Sequence, residues 1–146
     1  MSPDQVSAFA EALTAWGDEQ PTWRALALVG SWARGQARPD SDLDILIVTT
    51  EMQRWIASSS WLEGLGSQSV GLPTGASTLE HYGVARSWRL WFGPQIEIEA
   101  TLVDLDWANH SPVDEGTRRV IAGGIQVLRD KDGVLEELKK AVGAGN

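Results

Sequence analysis

Between Gly30 and Val48 the chain reads Gly-Ser-Trp-Ala-Arg-Gly-Gln-Ala-Arg-Pro-Asp-Ser-Asp-Leu-Asp-Ile-Leu-Ile-Val, and no other stretch limits the fold so tightly. Upstream, Arg24 to Val29 is an apolar run of strand length that ends at Gly30 and Ser31, where a backbone can turn sharply and expose N–H groups. Downstream, Asp42 and Asp44 stand two residues apart at the head of Ile45-Leu46-Ile47-Val48. In a strand, that spacing puts both carboxylates on one face, within reach of a shared divalent cation. An acidic pair alone would be an ordinary turn feature. Joined to a Gly-Ser turn between two strands, it points to a site for a phosphate ester and a metal.

The flanking sequence predicts a compact α/β order. Ser2, Pro3 and Gln5 are an N-cap, a first-turn proline and a capping-box partner, and Val6, Phe9, Ala10, Leu13 and Trp16 recur at helical spacing up to Gly17. Strands are expected at about 23–29 and 43–49, with a short helix starting near Ser31 between them. Thr50 is read as the cap of a helix carrying Met52, Trp55, Ile56 and Trp61. The Gly-, Ser- and Pro-rich region 64–78 is read as a loop, 78–92 as a strand, and Gly93-Pro94 as a turn. Residues 95–103 alternate cleanly, with Ile96, Ile98 and Ala100 on one face and Glu97, Glu99 and Thr101 on the other. A helix from Asp114, a strand at 125–128 and an amphipathic helix over 134–142 complete the expectation.

Composition narrows the function classes. At 146 residues the chain is read as one domain, 1–146. A net charge of −8 argues against a long nucleic-acid surface and favours a small cationic acceptor or a protein partner. Having no cysteine, the chain can form neither a disulfide nor a thiolate metal site. No leader and no apolar stretch of spanning length is visible, so a cytoplasmic protein without membrane contact is expected. Eight tryptophans stand against one tyrosine and two phenylalanines, too many indoles for all to be buried with N–H partners. Most are expected in or beside the core, with one or two of Trp32, Trp88 and Trp91 expected to stack on a base or sugar.

The motif resembles the nucleotidyltransferase superfamily of the DNA polymerase beta type, whose signature is Gly-Ser, a spacer, then Asp-x-Asp opening an apolar strand. Gly30, Ser31, Asp42 and Asp44 occupy those positions, and the fillers Ala33-Arg34-Gly35 and Arg38-Pro39-Asp40-Ser41 are similar to those of minimal and antibiotic-modifying members. The resemblance implies an α+β fold, with a short mixed sheet and helices packed mainly on one face. It implies Mg²⁺-dependent transfer of a nucleoside monophosphate from an NTP, ATP being the first expectation, to a hydroxyl with release of pyrophosphate. Asp42 and Asp44 would bind two metal ions, and Gly30, Ser31 and Arg34 would hold phosphates. The superfamily's third acid comes from a strand after a Gly-containing turn. Glu97 is the best match, with Glu99 as the alternative ligand, a general base or a contact to a cationic acceptor.

Other residues carry weaker readings. Arg38, like Arg34, either neutralises phosphate charge or balances Asp40, Asp42 and Asp44. Arg118 and Arg119 are further cationic candidates. His81 and His110 lack metal-ligand spacing, and Asp104, Asp106 and Asp114 are read as loop and cap residues. Gly30 to Gly35 has P-loop glycine spacing but continues Gln36-Ala37 instead of Lys and Ser or Thr, and no dinucleotide glycine fingerprint is present. The acceptor is expected to be a small hydroxylated molecule of aminoglycoside type or a helical partner protein, with a homodimer as one way to complete the pocket. The rival expectation is a non-catalytic nucleotide- or partner-binding module, an antitoxin-like subunit with the same fold.

Overall fold

The computed structural model describes residues 1–108 and 115–144. Six strands form one mixed sheet in the order β3-β4-β5-β2-β1-β6. They are β1 Trp23–Val29, β2 Leu43–Thr49, β3 Thr74–Tyr82, β4 Ala85–Phe92, β5 Ile96–Val103 and β6 Ile125–Asp130. Only the central β2–β5 pair is parallel, and the other four pairings are antiparallel. The helices are α1 Pro3–Asp18, α2 Gly30–Ala33, α3 Met52–Ile56, α4 Ser60–Val70, α5 Glu115–Ala122 and α6 Val134–Ala144, with a 3-10 turn at Leu105–Ala108. None of the helices among the described residues is long and apolar enough to cross a membrane.

The start of α1 forms as its sequence predicts. Gln5 N–H donates to Ser2 Oγ at 3.1 Å and Ser2 N–H to Gln5 Oε1 at 2.8 Å, so two otherwise orphaned backbone donors are satisfied. Val6, Phe9 and Leu13 then enter the larger core with Leu62 and Val70 of α4. This core covers the sheet face bearing Leu26, Leu28, Ile45, Ile47, Ile98 and Leu102. Trp16, Trp23, Trp55 and Trp61 meet at one end of it, every pair having centroids 5.1–5.7 Å apart. Edge-to-face packing governs five of the six pairs, the arrangement the aromatic quadrupole favours.

The opposite face carries a lighter layer. Ala25, Ala27, Leu46, Val48 and Val103 pack there against Leu135 of α6, and α5 joins α6 through Ile121, Leu138 and Val142. Helices are thus concentrated on one side, and among the described residues the thinner cover on the other leaves part of the sheet open.

Several expectations for the middle of the chain are corrected. Region 64–78 is not a loop: α4 runs to Val70 and β3 begins at Thr74. Its glycines disguise the helix, but one of them is there for packing. A Cβ at Gly66 would lie 2.4 Å from Phe92 Cζ, and Phe92 is wholly buried. Likewise 78–92 is two strands joined at Gly83, because His81 pairs with Arg86 and Tyr82 with Ala85. Thr50 does not cap the next helix either. Glu51 precedes α3 without a side-chain cap, and Trp55 and Trp61 fall on separate helices, α3 and α4. His110 and Asp114 lie outside the described residues.

Gly66→Ala should therefore destabilise the protein by about 1–3 kcal/mol through overpacking. Gly64→Ala, whose Cβ would meet nothing within 4 Å on the exposed face of the same helix, should stabilise it by about 0.5–1 kcal/mol. Thermal unfolding of the two variants checks the pair, and equal effects would refute the packing assignment of Gly66.

Candidate active site

β1 and β2 bring the first part of the site together by register. Val29 pairs with Asp44, so Gly30 leaves the sheet directly beside the Asp44 carboxylate. Gly30 has φ +73°, and a Cβ there would sit 2.6 Å from Asp44 Oδ2. Both conditions demand glycine. The chain then enters the single turn of α2, where Ser31 faces a shallow polar depression of about 560 Å³. Gly30, Ser31, Arg34, Arg38, Asp42 and Asp44 all line it. Six residues singled out in the sequence thus share one concavity.

Arg34 is fixed in place by its own hydrogen bonds. Its Nη1 donates to the Gly123 carbonyl at 2.6 Å and its Nε to Gln36 Oε1 at 3.2 Å, tying α2 to the turn after α5. Neither Arg34 nor Arg38 forms an ion pair with Asp40, Asp42 or Asp44 among the described residues. The reading in which they merely balance those acids is therefore not what the structure shows. The backbone N–H of Arg38 donates to Ser41 Oγ at 2.8 Å and shapes the loop that delivers Asp42.

The parallel pairing of β2 with β5 adds the remaining acids. Asp44 pairs with Glu99, and Glu97, two residues earlier on the same face, reaches hydrogen-bonding contact with Asp42. Four carboxylates therefore gather on the lightly covered face. Burial first, then the charges of Glu99, Asp42 and Glu97, pushes the Asp44 carboxyl up to about 7. Burial is also the first cause that raises Glu97 and Glu99, with contact to Asp42 adding to the shift at Glu97 and the Arg89 guanidinium opposing it at both.

Arg89 is the residue the sequence reading missed. It stands opposite Glu99 on β4, donates from Nε to Glu97 Oε1 at 2.9 Å, and has Nη2 2.6 Å from the same oxygen. Its other contacts are Glu80 at 3.3 Å and Glu99 at 3.5 Å, and its guanidinium lies 5.7 Å from the centroid of the Trp91 ring. Alternation along β4 would have placed Arg89 and Trp91 on one face, but only the β4–β5 register shows that this face is the acidic one.

Among the described residues, no three acidic or histidine side chains close on one point as a finished cation cage. The donor set nevertheless fits a hard divalent cation. It consists of carboxylate oxygens, and Arg89, the cation that faces them, is engaged chiefly with Glu97.

A second, deeper cavity of about 760 Å³ adjoins the depression at Gly30 and Asp44. It runs along the sheet beneath α5, walled by Val29, Leu46, Val84, Ala85, Trp107 and Val120. Glu99 and Thr101 of β5 reach into it, and Arg119 stands at α5. Ser87 and Thr101 bond to one another there at 2.7 Å.

The indoles divide differently from expectation. Trp32 packs on the larger core and lines a second hollow with Met1, Pro3 and Ile96, which meets Ser31's depression at Arg38. Trp88 also packs on that core and donates to the Trp55 carbonyl at 2.9 Å. Both point to the sheet face opposite the acids, which corrects the stacking role read for them. Of the three, Trp91 is on the acidic face, opposite Glu97. Arg118 reaches the Val142 carbonyl at 3.3 Å and His81 is exposed on β3, so neither joins the site. Asp104 accepts from the N–H groups of Asp106 and Trp107, which makes it a turn residue as read.

The chain matches the streptomycin adenylyltransferase family over residues 6–144. Among solved structures it is similar to an aminoglycoside 6-adenyltransferase from Bacillus subtilis, with a TM-score of 0.50 and 16% identity over 86% of this chain and 40% of that one. A toxin–antitoxin structure with AMP-PNP gives 0.44 and 13% over 99% and 86% of the two chains. A nucleotidyltransferase-like protein from Exiguobacterium sibiricum gives 0.43 and 13% over 93% and 37%. At these identities the likeness is one of fold, and the chain spans less than half the length of the Bacillus subtilis protein. None of the curated proteins matches it. With residues 6–144 matched, this chain belongs to the streptomycin adenylyltransferase family.

Proposed function

We propose that the chain is a nucleotidyltransferase that moves a nucleoside monophosphate, AMP in the first instance, from an NTP to a hydroxyl and releases pyrophosphate. One observation carries this reading: the polar depression of Gly30, Ser31, Arg34 and Arg38 meets the carboxylates of β2 and β5 at Asp44.

Each part has a role in that reaction. The Ser31 hydroxyl and the backbone N–H groups at the start of α2 would hold the β- and γ-phosphates, with Arg34 and Arg38 supplying positive charge. Asp42, Asp44 and Glu97 would hold two Mg²⁺ ions, which when bound would offset phosphate charge and acidify the attacking hydroxyl. Glu99, beside Asp44 and facing the deeper cavity, would take the hydroxyl proton. Arg89 would fix the Glu97 carboxylate and keep the acids from repelling one another apart. The family and the Bacillus subtilis aminoglycoside enzyme favour a small molecule as acceptor, as does the cavity next to Glu99. A hydroxyl on a helical partner protein is the other acceptor this chemistry allows.

Calorimetric titration with a non-hydrolysable ATP analogue tests the reading. Wild type should bind it only with Mg²⁺, the Asp42→Asn, Asp44→Asn double variant should not bind, and Ser31→Ala should bind roughly tenfold more weakly, about one charge-assisted hydrogen bond. Silence of wild type toward every NTP analogue would sink it.

Asp44 also predicts a pH dependence in metal-free buffer. Its folded value of about 7 lies above the ordinary 3.8, so the native state keeps a proton that the unfolded chain gives up. The stability Asp44 loses should fall away between about pH 4 and about pH 7 and stay lost above that range. Asp44→Asn should then be the more stable protein near pH 8, by on the order of 1–2 kcal/mol once solvent screening is allowed for, and the gap should close near pH 4. Millimolar Mg²⁺ should stabilise wild type and not the variant. Parallel melting curves for the two proteins at both pH values would show no gap if the acids were not crowded as described.

A further inference from the structure

We infer that Arg89 is a movable stand-in for the acceptor-side cation: it holds Glu97 in the metal-free chain and crosses to Glu80 when an ion takes Glu97, so that Arg89 and Glu80 set the order in which two ions bind. The inference rests on the transferase reading for the presence of two ions, and on the contacts of Arg89 for the exchange.

The sheet sets Arg89 between carboxylates on different strands. On β4 it pairs with Thr78 of β3 on one side and with Glu99 of β5 on the other. Residues paired across neighbouring strands point to one face, and so do residues two apart along a strand. Glu80 and Glu97, each two residues from one of these partners, therefore share the face of Arg89 from opposite sides. The hold is uneven. Nε and Nη2 converge on one oxygen of Glu97 at 2.9 and 2.6 Å, whereas Nη1 reaches Glu80 Oε1 at 3.3 Å. The Arg89 and Glu80 side chains are each 32% exposed, so the guanidinium can turn about its own bonds while β4 stays paired on both edges.

The grip on Glu97 competes with an ion. A carboxylate oxygen has two lone pairs, and two short guanidinium contacts use both. A hard divalent cation draws on the same lone pairs, and a guanidinium left beside it adds a like charge. Asp42 and Asp44 are not held in this way, because among the described residues the ion pairs of Arg89 are with Glu80, Glu97 and Glu99. An ion on the two aspartates leaves Arg89 in place, and an ion that recruits Glu97 must displace it. Glu80 is prepared to receive it. Its Oε2 accepts from the Tyr82 hydroxyl, which leaves Oε1 toward Arg89, and the Trp91 ring, 5.7 Å from the guanidinium, gives the cation a second favourable neighbour.

The test titrates Mn²⁺, which accepts the oxygen ligands that Mg²⁺ does, into the full chain with the ATP analogue and reads free Mn²⁺ by electron paramagnetic resonance. Wild type should take up two ions, one of them more weakly. Arg89→Gln should tighten the weaker step and Glu80→Gln should loosen it, each by about tenfold, as for one charge-assisted contact. Adding Glu80→Gln to Arg89→Gln should change nothing further, since Glu80 matters only while there is an arginine to receive. Near-ultraviolet dichroism confirms that each variant is folded, and Glu80→Gln, on the sheet's edge strand, decides the matter alone should Arg89→Gln not fold. A loosened weaker step in Arg89→Gln would mean that Arg89 stays on Glu97 to orient it, which overturns the exchange. An unchanged weaker step in Glu80→Gln overturns it as well. Both outcomes leave the transferase reading standing, whereas uptake of fewer than two ions by wild type would bring down the two-ion reading and the exchange with it.

Discussion

The parallel pairing of β2 with β5 is the contact on which the site depends. It is the one parallel step in an otherwise antiparallel sheet, and it carries two strands whose starts bear acids into the same register. A shift of one residue would turn Glu97 and Glu99 into the larger core and Ile98 and Ala100 toward solvent. The apolar face therefore sets the position of the acidic one. Ile98, Ala100 and Leu102 are wholly buried beneath α1 and α4, and their burial makes any other register expensive.

What that register assembles is unfavourable by itself. Asp42, Asp44, Glu97 and Glu99 face one another with Arg89 as the nearest compensation, and Arg89 is shared with Glu80. Gly30 leaves no room for a Cβ beside the Asp44 carboxylate, and burial adds to the cost of the Asp44 charge. In the proposed reaction, divalent cations held by these carboxylates would relieve that repulsion. The larger core, with its four interlocked indoles, supplies the rigidity that holds such a cluster in place.

Local chemistry made part of this legible from sequence and hid the rest. The capping box of α1, the alternation of β5 and the Gly-Ser and Asp-x-Asp pairs are short-range signals, and the corresponding elements stand where they were read. The α4 helix was hidden because its glycines answer to a tertiary demand, the ring of Phe92 against Gly66, that no propensity encodes. The β3–β4 hairpin was hidden because its turn is short and its strand β3 is largely exposed, leaving no alternation to read. Arg89 was overlooked for a similar reason: its partners lie on two neighbouring strands, and a sequence read one strand at a time cannot pair them. Trp32 misled by adjacency, since the turn of α2 sends Ser31 and Trp32 to different sides.

The chain's overall charge of −8 sits oddly with an anionic substrate, and the arrangement of the site resolves the difficulty. A triphosphate approaching the four acids alone would be repelled. The depression offers Arg34 and Arg38 on one side, while divalent cations on the carboxylates would reverse the sign on the other. Nucleotide affinity would then be conditional on the metal, because the protein's own cations are too few and Arg34 is already committed to the Gly123 carbonyl.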